Sequence, residues 1–230
     1  MFPLRDDIPA RLFPVVNTWI IVVNVLCYGY QLALGPGGER LIFQYGFVPA
    51  RLLFSPAFLG FDPTELPTLL SYMFLHGGFL HLAGNMWMLW VFGDNVEDAM
   101  GHGRYLLFYL ACGVVSALAQ MAVAPASGIP MVGASGAISG VLGAYFLLYP
   151  AARILTLVPI FFFLTTVEVP AFVFLVLWFV LQFLQGAASL RASGAGGGVA
   201  WWAHIGGFIA GMALLPLARK RRPRRRRLLL

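Results

Sequence analysis

Apolar residues run along this chain in long, almost uninterrupted stretches, unlike the short alternating patterns of a soluble domain. Six of these stretches approach the roughly 20 residues that an α-helix needs to cross a bilayer. The pattern predicts an all-α integral membrane protein, a bundle of six transmembrane helices within residues 14–218. The predicted spans are 14–34, 79–98, 104–124, 133–149, 168–188 and 200–218.

Two further apolar segments are not expected to cross. Residues 36–75 contain glycines and prolines that interrupt any span, so we expect a long, partly helical, membrane-associated loop between the first two helices, lying in the headgroup region. Residues 154–166 offer only about 13 apolar residues, too few to cross, and are expected to be interfacial. The fifth span then begins near Glu168.

Composition supports the membrane class, because 60% of the residues are hydrophobic and only 10% are charged, against roughly one quarter charged in soluble domains. The net charge of +6 comes mainly from the C-terminal run "RKRRPRRRR". Positive charge of this kind stays in the cytoplasm and can contact anionic lipid. We therefore expect residues 219–230 to form a basic cytoplasmic tail, and we expect no nucleic acid partner.

Six spans also return the N-terminal segment, residues 1–13, to the cytoplasm. The second, fourth and sixth spans then enter the membrane from the outer face, so the residues at their starts share one depth. Those residues are His81 and Asn85, Ser135, and His204. Polar side chains inside a bilayer are costly and mark candidate functional sites, so this convergence predicts one site in the outer part of the membrane.

Ser135 and His204 form a candidate nucleophile and base. A serine hydroxyl becomes reactive when an adjacent base removes its proton, and histidine is the usual partner. Both residues lie among small residues, which allow transmembrane helices to approach closely. The small residues include Gly133 and Gly136 beside the serine, and Gly207 and Gly211 after the histidine.

His81 and Asn85 are four residues apart and therefore lie on one helix face. With the backbone N–H of Ser135 they could donate to the oxyanion of an acyl-transfer reaction. The alternatives are hydrogen bonds between helices, or a metal site that also uses His76. No carboxylate or cysteine is expected at that level, which disfavours metal. The acidic residues of the second span lie at the end away from His81, so no carboxylate is available as a third catalytic group. We therefore predict a Ser-His dyad.

Three motifs, "HGGFLHLAGNMWMLW", "GASGAISGVLGAY" and "AHIGGFIAGM", together resemble those of the rhomboid intramembrane serine proteases. The resemblance implies that Ser135 is the nucleophile, that His204 is its base, and that His81 and Asn85 stabilise the oxyanion with His76 in support. It also implies that Glu97 is structural.

The same resemblance implies an activity. The expected reaction is cleavage of single-span membrane proteins near the outer leaflet, without metal, nucleotide or other cofactor. Basicity dominated by arginine, with Lys220 as the single lysine, hints at a GC-rich bacterium on composition alone. The expected location is its plasma membrane, with the site facing outward.

The chain departs from the family pattern at two places. Pro67 and Thr68 stand where a Trp-Arg pair is typical, and Ser139 replaces an aromatic residue that stacks on the histidine in many relatives. Activity is then lower, or another ring such as Tyr145 or Trp202 compensates. These departures keep open a non-catalytic relative that binds transmembrane helices. A small transporter or channel is disfavoured, because no repeat symmetry is detectable.

Overall fold

The computed structural model describes residues 2–160, 163–189 and 200–220, and the fold is mostly helical. Six long helices occupy the six predicted ranges, and short helices and 3₁₀ turns fill the loop between the first two of them, as predicted. The long helices are α1 (Val15–Ala33), α5 (Phe79–Met100), α6 (His102–Val123), α7 (Ser135–Leu148), α8 (Ala171–Ser189) and α9 (Trp201–Ala218). The short helices are α2 (Gly37–Tyr45), α3 (Pro49–Leu53) and α4 (Thr68–Ser71).

Four of the long helices in the described part of the chain, α1, α6, α8 and α9, are long and apolar enough to cross a membrane. Helix α7 is apolar but has only 14 residues, about 21 Å at 1.5 Å per residue. Helix α5 carries three carboxylates near its C-terminal end. The chain is thus a multi-pass membrane protein, while the count of six spans stays a prediction.

A three-stranded antiparallel sheet accompanies the helices, and the sequence pattern did not predict it. Its strands are β1 (Phe2–Asp6), β2 (Arg153–Ile160) and β3 (Phe163–Pro170), in the order β1-β2-β3. The last strand includes Glu168, so the fifth long helix begins at Ala171, three residues later than predicted. Strand β2 pairs with β3, which follows it directly, and with β1, which is about 150 residues away and which no local pattern reveals as a partner.

Both ends of the described chain lie at the same end of the bundle. The backbone N–H of Arg11 donates to the Asp98 carboxylate at 3.3 Å, and Lys220 donates to the Asp98 carbonyl at 3.2 Å. Ser135 begins α7 at the opposite end of the bundle from these contacts, since α5 runs away from the site toward Asp98. Residues 221–230, most of the predicted tail, lie outside the described residues.

Helices α7 and α9 are packed backbone against backbone through glycines. A Cβ atom on Gly207 would collide with the carbonyl oxygen of Gly136, and one on Gly211 would collide with that of Gly140. Small residues at such spacing permit this close approach. The predicted contact between the serine helix and the histidine helix is therefore present.

Glu97 is buried and holds the start of α1. Its carboxylate accepts hydrogen bonds from the backbone N–H groups of Val16 at 3.0 Å and Asn17 at 2.8 Å, and it contacts Nδ1 of His102. The first N–H groups of a helix lack partners within the helix and attract negative charge. These contacts connect α5 to α1. They lie at the C-terminal end of α5, the end farthest from Ser135.

We expect Glu97→Gln to lower the free energy of unfolding by about 1–3 kcal/mol, because an amide has one oxygen to accept with and carries no charge. The measurement is unfolding in mixed micelles, with Asp98→Asn as a matched acid-to-amide control. Protein that remains folded should keep its activity. A folded but inactive Glu97→Gln protein would contradict this structural role.

Candidate active site

Ser135 is the first residue of α7, and the segment before it is held in place by the loop and by α5. Phe47 and Met131 form a β-bridge with N···O distances of 3.0 and 2.8 Å. Gly133 follows with φ of 117°, a conformation that favours glycine. A Cβ at Gly133 would lie 2.6 Å from Nε2 of His81, so only glycine fits here without moving that imidazole.

His204 lies one helical turn into α9 and faces the serine. Its Nε2 is 2.8 Å from the Ser135 Oγ, within hydrogen-bond range for a nucleophile and its base. The His204 residue is 8% exposed. The predicted pair is therefore brought together, and the close packing of α7 on α9 makes the distance possible.

A third side chain, Gln182 of α8, completes a hydrogen-bonded chain that the sequence analysis missed. Its Oε1 is 2.6 Å from Nδ1 of His204. The signal was available, because a glutamine in an apolar span is a functional candidate. Helix α8 runs in the direction opposite to α9, so a residue in its C-terminal half reaches the level of His204. A Ser-His dyad was predicted because no carboxylate is expected at this level, and that criterion does not detect the amide of Gln182.

Two tryptophan rings flank His204 in place of the aromatic residue missing at Ser139. The rings of Trp178 and Trp201 have their centroids 6.2 and 6.0 Å from that of His204, the second edge-on at 88°. The Ser139 hydroxyl instead donates a hydrogen bond to the Ser135 carbonyl oxygen at 2.7 Å.

The two rings that the sequence suggested as substitutes are engaged elsewhere. Tyr145 packs edge-on against Phe92 and at a tilt against Tyr149, toward the other end of the bundle. Trp202 packs edge-on against Phe183, with centroids 6.2 Å apart. The suggestion was therefore wrong for both, because neighbouring positions on a helix point in different directions and the sequence does not reveal which one faces His204.

His81 and Asn85 reach the same site from α5. Asn85 Nδ2 is 3.0 Å from Nε2 of His76, whose ring lies edge-on to that of His81 at 5.1 Å. Burial, with a smaller contribution from His81, lowers the pKa of His76 to about 3. His76 is thus neutral, and its Nε2 can accept the Asn85 amide hydrogen, which orients that amide.

Gln31, near the C-terminal end of α1, fixes the backbone of His76. Its amide donates to the His76 carbonyl oxygen and accepts from the His76 N–H, each at 3.0 Å. Gln31 is a second buried glutamine that the sequence analysis passed over. Gln31 lies two residues before the end of α1, whereas Gln182 lies seven residues before the end of α8.

Four of the polar side chains, those of His81, Asn85, Ser135 and His204, face an open cavity of about 990 Å³ with mostly apolar walls. The cavity is lined by residues from α5, α7 and α9 and by the segment before α7, including His81, Asn85, Gly133, Ser135 and His204. A nucleophile, a base and polar donors around one cavity suit acyl transfer. Among the described residues, no three His, Cys, Asp or Glu side chains are grouped so as to hold a metal ion.

Several known proteins of one family are similar to this chain. A family model described as the Rhomboid domain matches residues 63–221. The chain is 40% identical to Rhomboid protease GluP of Bacillus subtilis over 151 residues, 65% of this chain and 26% of GluP. It is 29% identical to mouse Presenilin-associated rhomboid-like protein, mitochondrial, over 168 residues, 70% of this chain and 44% of that protein. The matched part thus spans less than half of each of these relatives.

Proposed function

The chain belongs to the rhomboid family, and on that premise we propose that it is an intramembrane serine endopeptidase. In this proposal, Ser135 attacks the scissile carbonyl carbon while His204 takes the hydroxyl proton. An acyl-enzyme forms and the amine leaves with a proton from His204, after which water releases the second product by the same steps. The name of the relative GluP supports the protease class.

The observation that carries the proposal is the 2.8 Å contact between Ser135 Oγ and His204 Nε2, on the wall of an open cavity. A buried serine that only joined two helices would need no cavity beside it. His81 and Asn85, which line the same cavity, and the first N–H groups of α7 supply donors for an oxyanion.

The proposed substrates are single-span membrane proteins cut near the outer leaflet. Peptide bonds within an intact helix are hidden by its own hydrogen bonds, so local unwinding of the substrate is expected to favour cleavage. We place both termini in the cytoplasm and the site toward the outer face of the plasma membrane. The contacts of Arg11 and Lys220 with Asp98, at the end of α5 farthest from Ser135, support this arrangement.

The test is incubation of purified full-length protein, reconstituted in lipid vesicles, with a panel of single-span reporters that differ in helix stability near the outer end. Cleavage at that end, with the product termini determined by mass spectrometry, is the expected result. Binding of reporters without cleavage, by correctly folded protein, would overturn the enzyme proposal in favour of a non-catalytic helix-binding relative.

We expect His81→Ala and Asn85→Ala each to lower kcat by about 100-fold with little change in KM, because each removes a donor that acts mainly in the transition state. The measurement is steady-state cleavage of the best reporter. Leu80→Ala, a cavity-lining change without a polar atom, is the control and should act mainly on KM. Unchanged kcat in both polar variants would rule out the oxyanion assignment.

A further inference from the structure

One polar side chain of α8, that of Gln182, contacts the Ser135–His204 pair. The catalytic steps proposed above give this side chain no role. Gln182 is 9% exposed, and its Oε1 lies 2.6 Å from Nδ1 of His204, on the side of the ring opposite Ser135. We propose that Gln182 is the positioning residue of the catalytic histidine, which selects the tautomer of His204 that can act as a base. This inference rests on the proposed function of Ser135 and His204.

The face of α8 that bears Gln182 is fitted to the start of α9. Trp178, Gln182 and Gly186 follow at intervals of four residues and so lie on one helix face. Trp178 packs on Phe208 with centroids 6.0 Å apart. A Cβ on Gly186 would come within 3.2 Å of the Trp201 Cβ. Contacts on both sides of Gln182 therefore hold its amide at a fixed height beside His204.

The chemistry requires one tautomer. His204 can accept the Ser135 proton only at a ring nitrogen with a free lone pair, here Nε2, so in the resting state the ring proton must be on Nδ1. The Gln182 oxygen accepts that Nδ1–H. In the step itself the Ser135 O–H bond breaks and an Nε2–H bond forms, which leaves an imidazolium. Its Nδ1–H then makes a charge-assisted hydrogen bond to the same oxygen, which is stronger than the neutral one.

Rings confine His204 from two further directions. Trp178 lies against it at a tilt of 36°, and Trp201 meets it edge-on. Ser139, whose hydroxyl is bonded to the Ser135 carbonyl oxygen, brings no ring to the histidine. Orientation of the base thus comes from α8 and from α9 itself, with Gln182 setting the ring's rotation by a directional bond and the tryptophans limiting its tilt.

Gln182→Leu removes the acceptor at similar size and is expected to lower kcat by about 10- to 100-fold, with KM nearly unchanged. Gln182→Glu keeps an oxygen beside Nδ1 of His204, and its kcat should be at least about tenfold higher than that of Gln182→Leu. Gln185→Leu is the matched control, because Gln185 lies three residues further along α8 and is exposed. It should match wild type. If Gln182→Leu does not fold, Gln182→Met takes its place.

A second readout is independent of cleavage. The chain has four histidines, so ¹⁵N-histidine labelling and solid-state NMR in lipid, with His204→Gln to assign the signals, report the tautomer of His204 directly. We expect Nδ1–H in wild type and a shift toward Nε2–H in Gln182→Leu.

Two results would overturn the inference. The first is an Nε2–H tautomer in wild type, and the second is a folded Gln182→Leu protein whose kcat lies within about threefold of wild type. Failure of the proposed function is distinct, because wild type would then cleave no reporter while the tautomer measurement still stands.

Discussion

Ser135→Ala is expected to reduce reporter cleavage by at least about 10⁴-fold while the protein remains folded. The hydroxyl oxygen is the atom that forms the covalent bond to the substrate carbonyl in the proposed mechanism, and alanine has nothing to replace it. Packing should be nearly unchanged, because the serine side chain faces the cavity and its Oγ bonds to His204. The measurement is product formation in lipid vesicles over long incubations.

A neighbouring serine makes the comparison specific. Ser139 is one turn along the same helix, buried, and bonded to the Ser135 carbonyl oxygen. Ser139→Ala removes an equal hydroxyl, and since such a bond back to the helix contributes little, cleavage should stay within about threefold of wild type. A fluorophosphonate probe should label wild type and Ser139→Ala but not Ser135→Ala. Equal labelling of all three proteins would refute the nucleophile assignment.

His204→Ala should be nearly as inactive as Ser135→Ala, and the double variant no worse than either single one. Groups that act as one unit in a proton transfer show such non-additive losses. Two independent contributions would instead multiply, giving a double variant far below both. That pattern would mean that His204 is not the base of Ser135.

Gly207→Ala is expected to lower the free energy of unfolding by about 1–3 kcal/mol and cleavage by about 100-fold. A Cβ at this position would meet the carbonyl oxygen of Gly136 and lie 3.2 Å from the Cβ of Ser139. The obstacle is mostly backbone, so α7 and α9 must move apart. Gly136 follows Ser135 directly and Gly207 is three residues from His204, so the separation opens the distance between nucleophile and base.

Gly29→Ala on α1 is the matched control for this helix contact. Nothing lies within 4 Å of a Cβ built there, so the same added methyl enters open space, and stability should rise slightly through helix propensity. Unfolding in mixed micelles and cleavage in vesicles are measured for both. If Gly207→Ala behaves like Gly29→Ala, the glycine contact does not set the catalytic distance.

Much of the site followed from the sequence because a membrane restricts the possible structures. Only helices and closed barrels satisfy backbone hydrogen bonds in lipid, so the apolar stretches and the basic tail limit the topology to few choices. The alternating direction of the spans then places Ser135, His204, His81 and Asn85 at one level. The structure brings Ser135 and His204 into contact and sets the other two on the same cavity.

What the sequence did not reveal depends on rotation about helix axes and on contacts between distant segments. Whether Trp178, Trp201, Trp202 or Tyr145 faces His204 depends on how each helix is turned, and an almost uniformly apolar span carries no polar face to report that rotation. Gln31 and Gln182 could be recognised as polar residues in spans, but their partners lie on other helices. Strand β1 pairs with a strand about 150 residues away.

The sequence by itself thus determined the membrane class, the placement of the long helices and the grouping of the candidate site residues, because hydrophobic length and charge act locally along the chain. Only the tertiary structure decided the sheet, the backbone contact between α7 and α9, and the groups around His204. Those features arise from side-chain packing between helices, where a rotation of a few tens of degrees exchanges one neighbour for another.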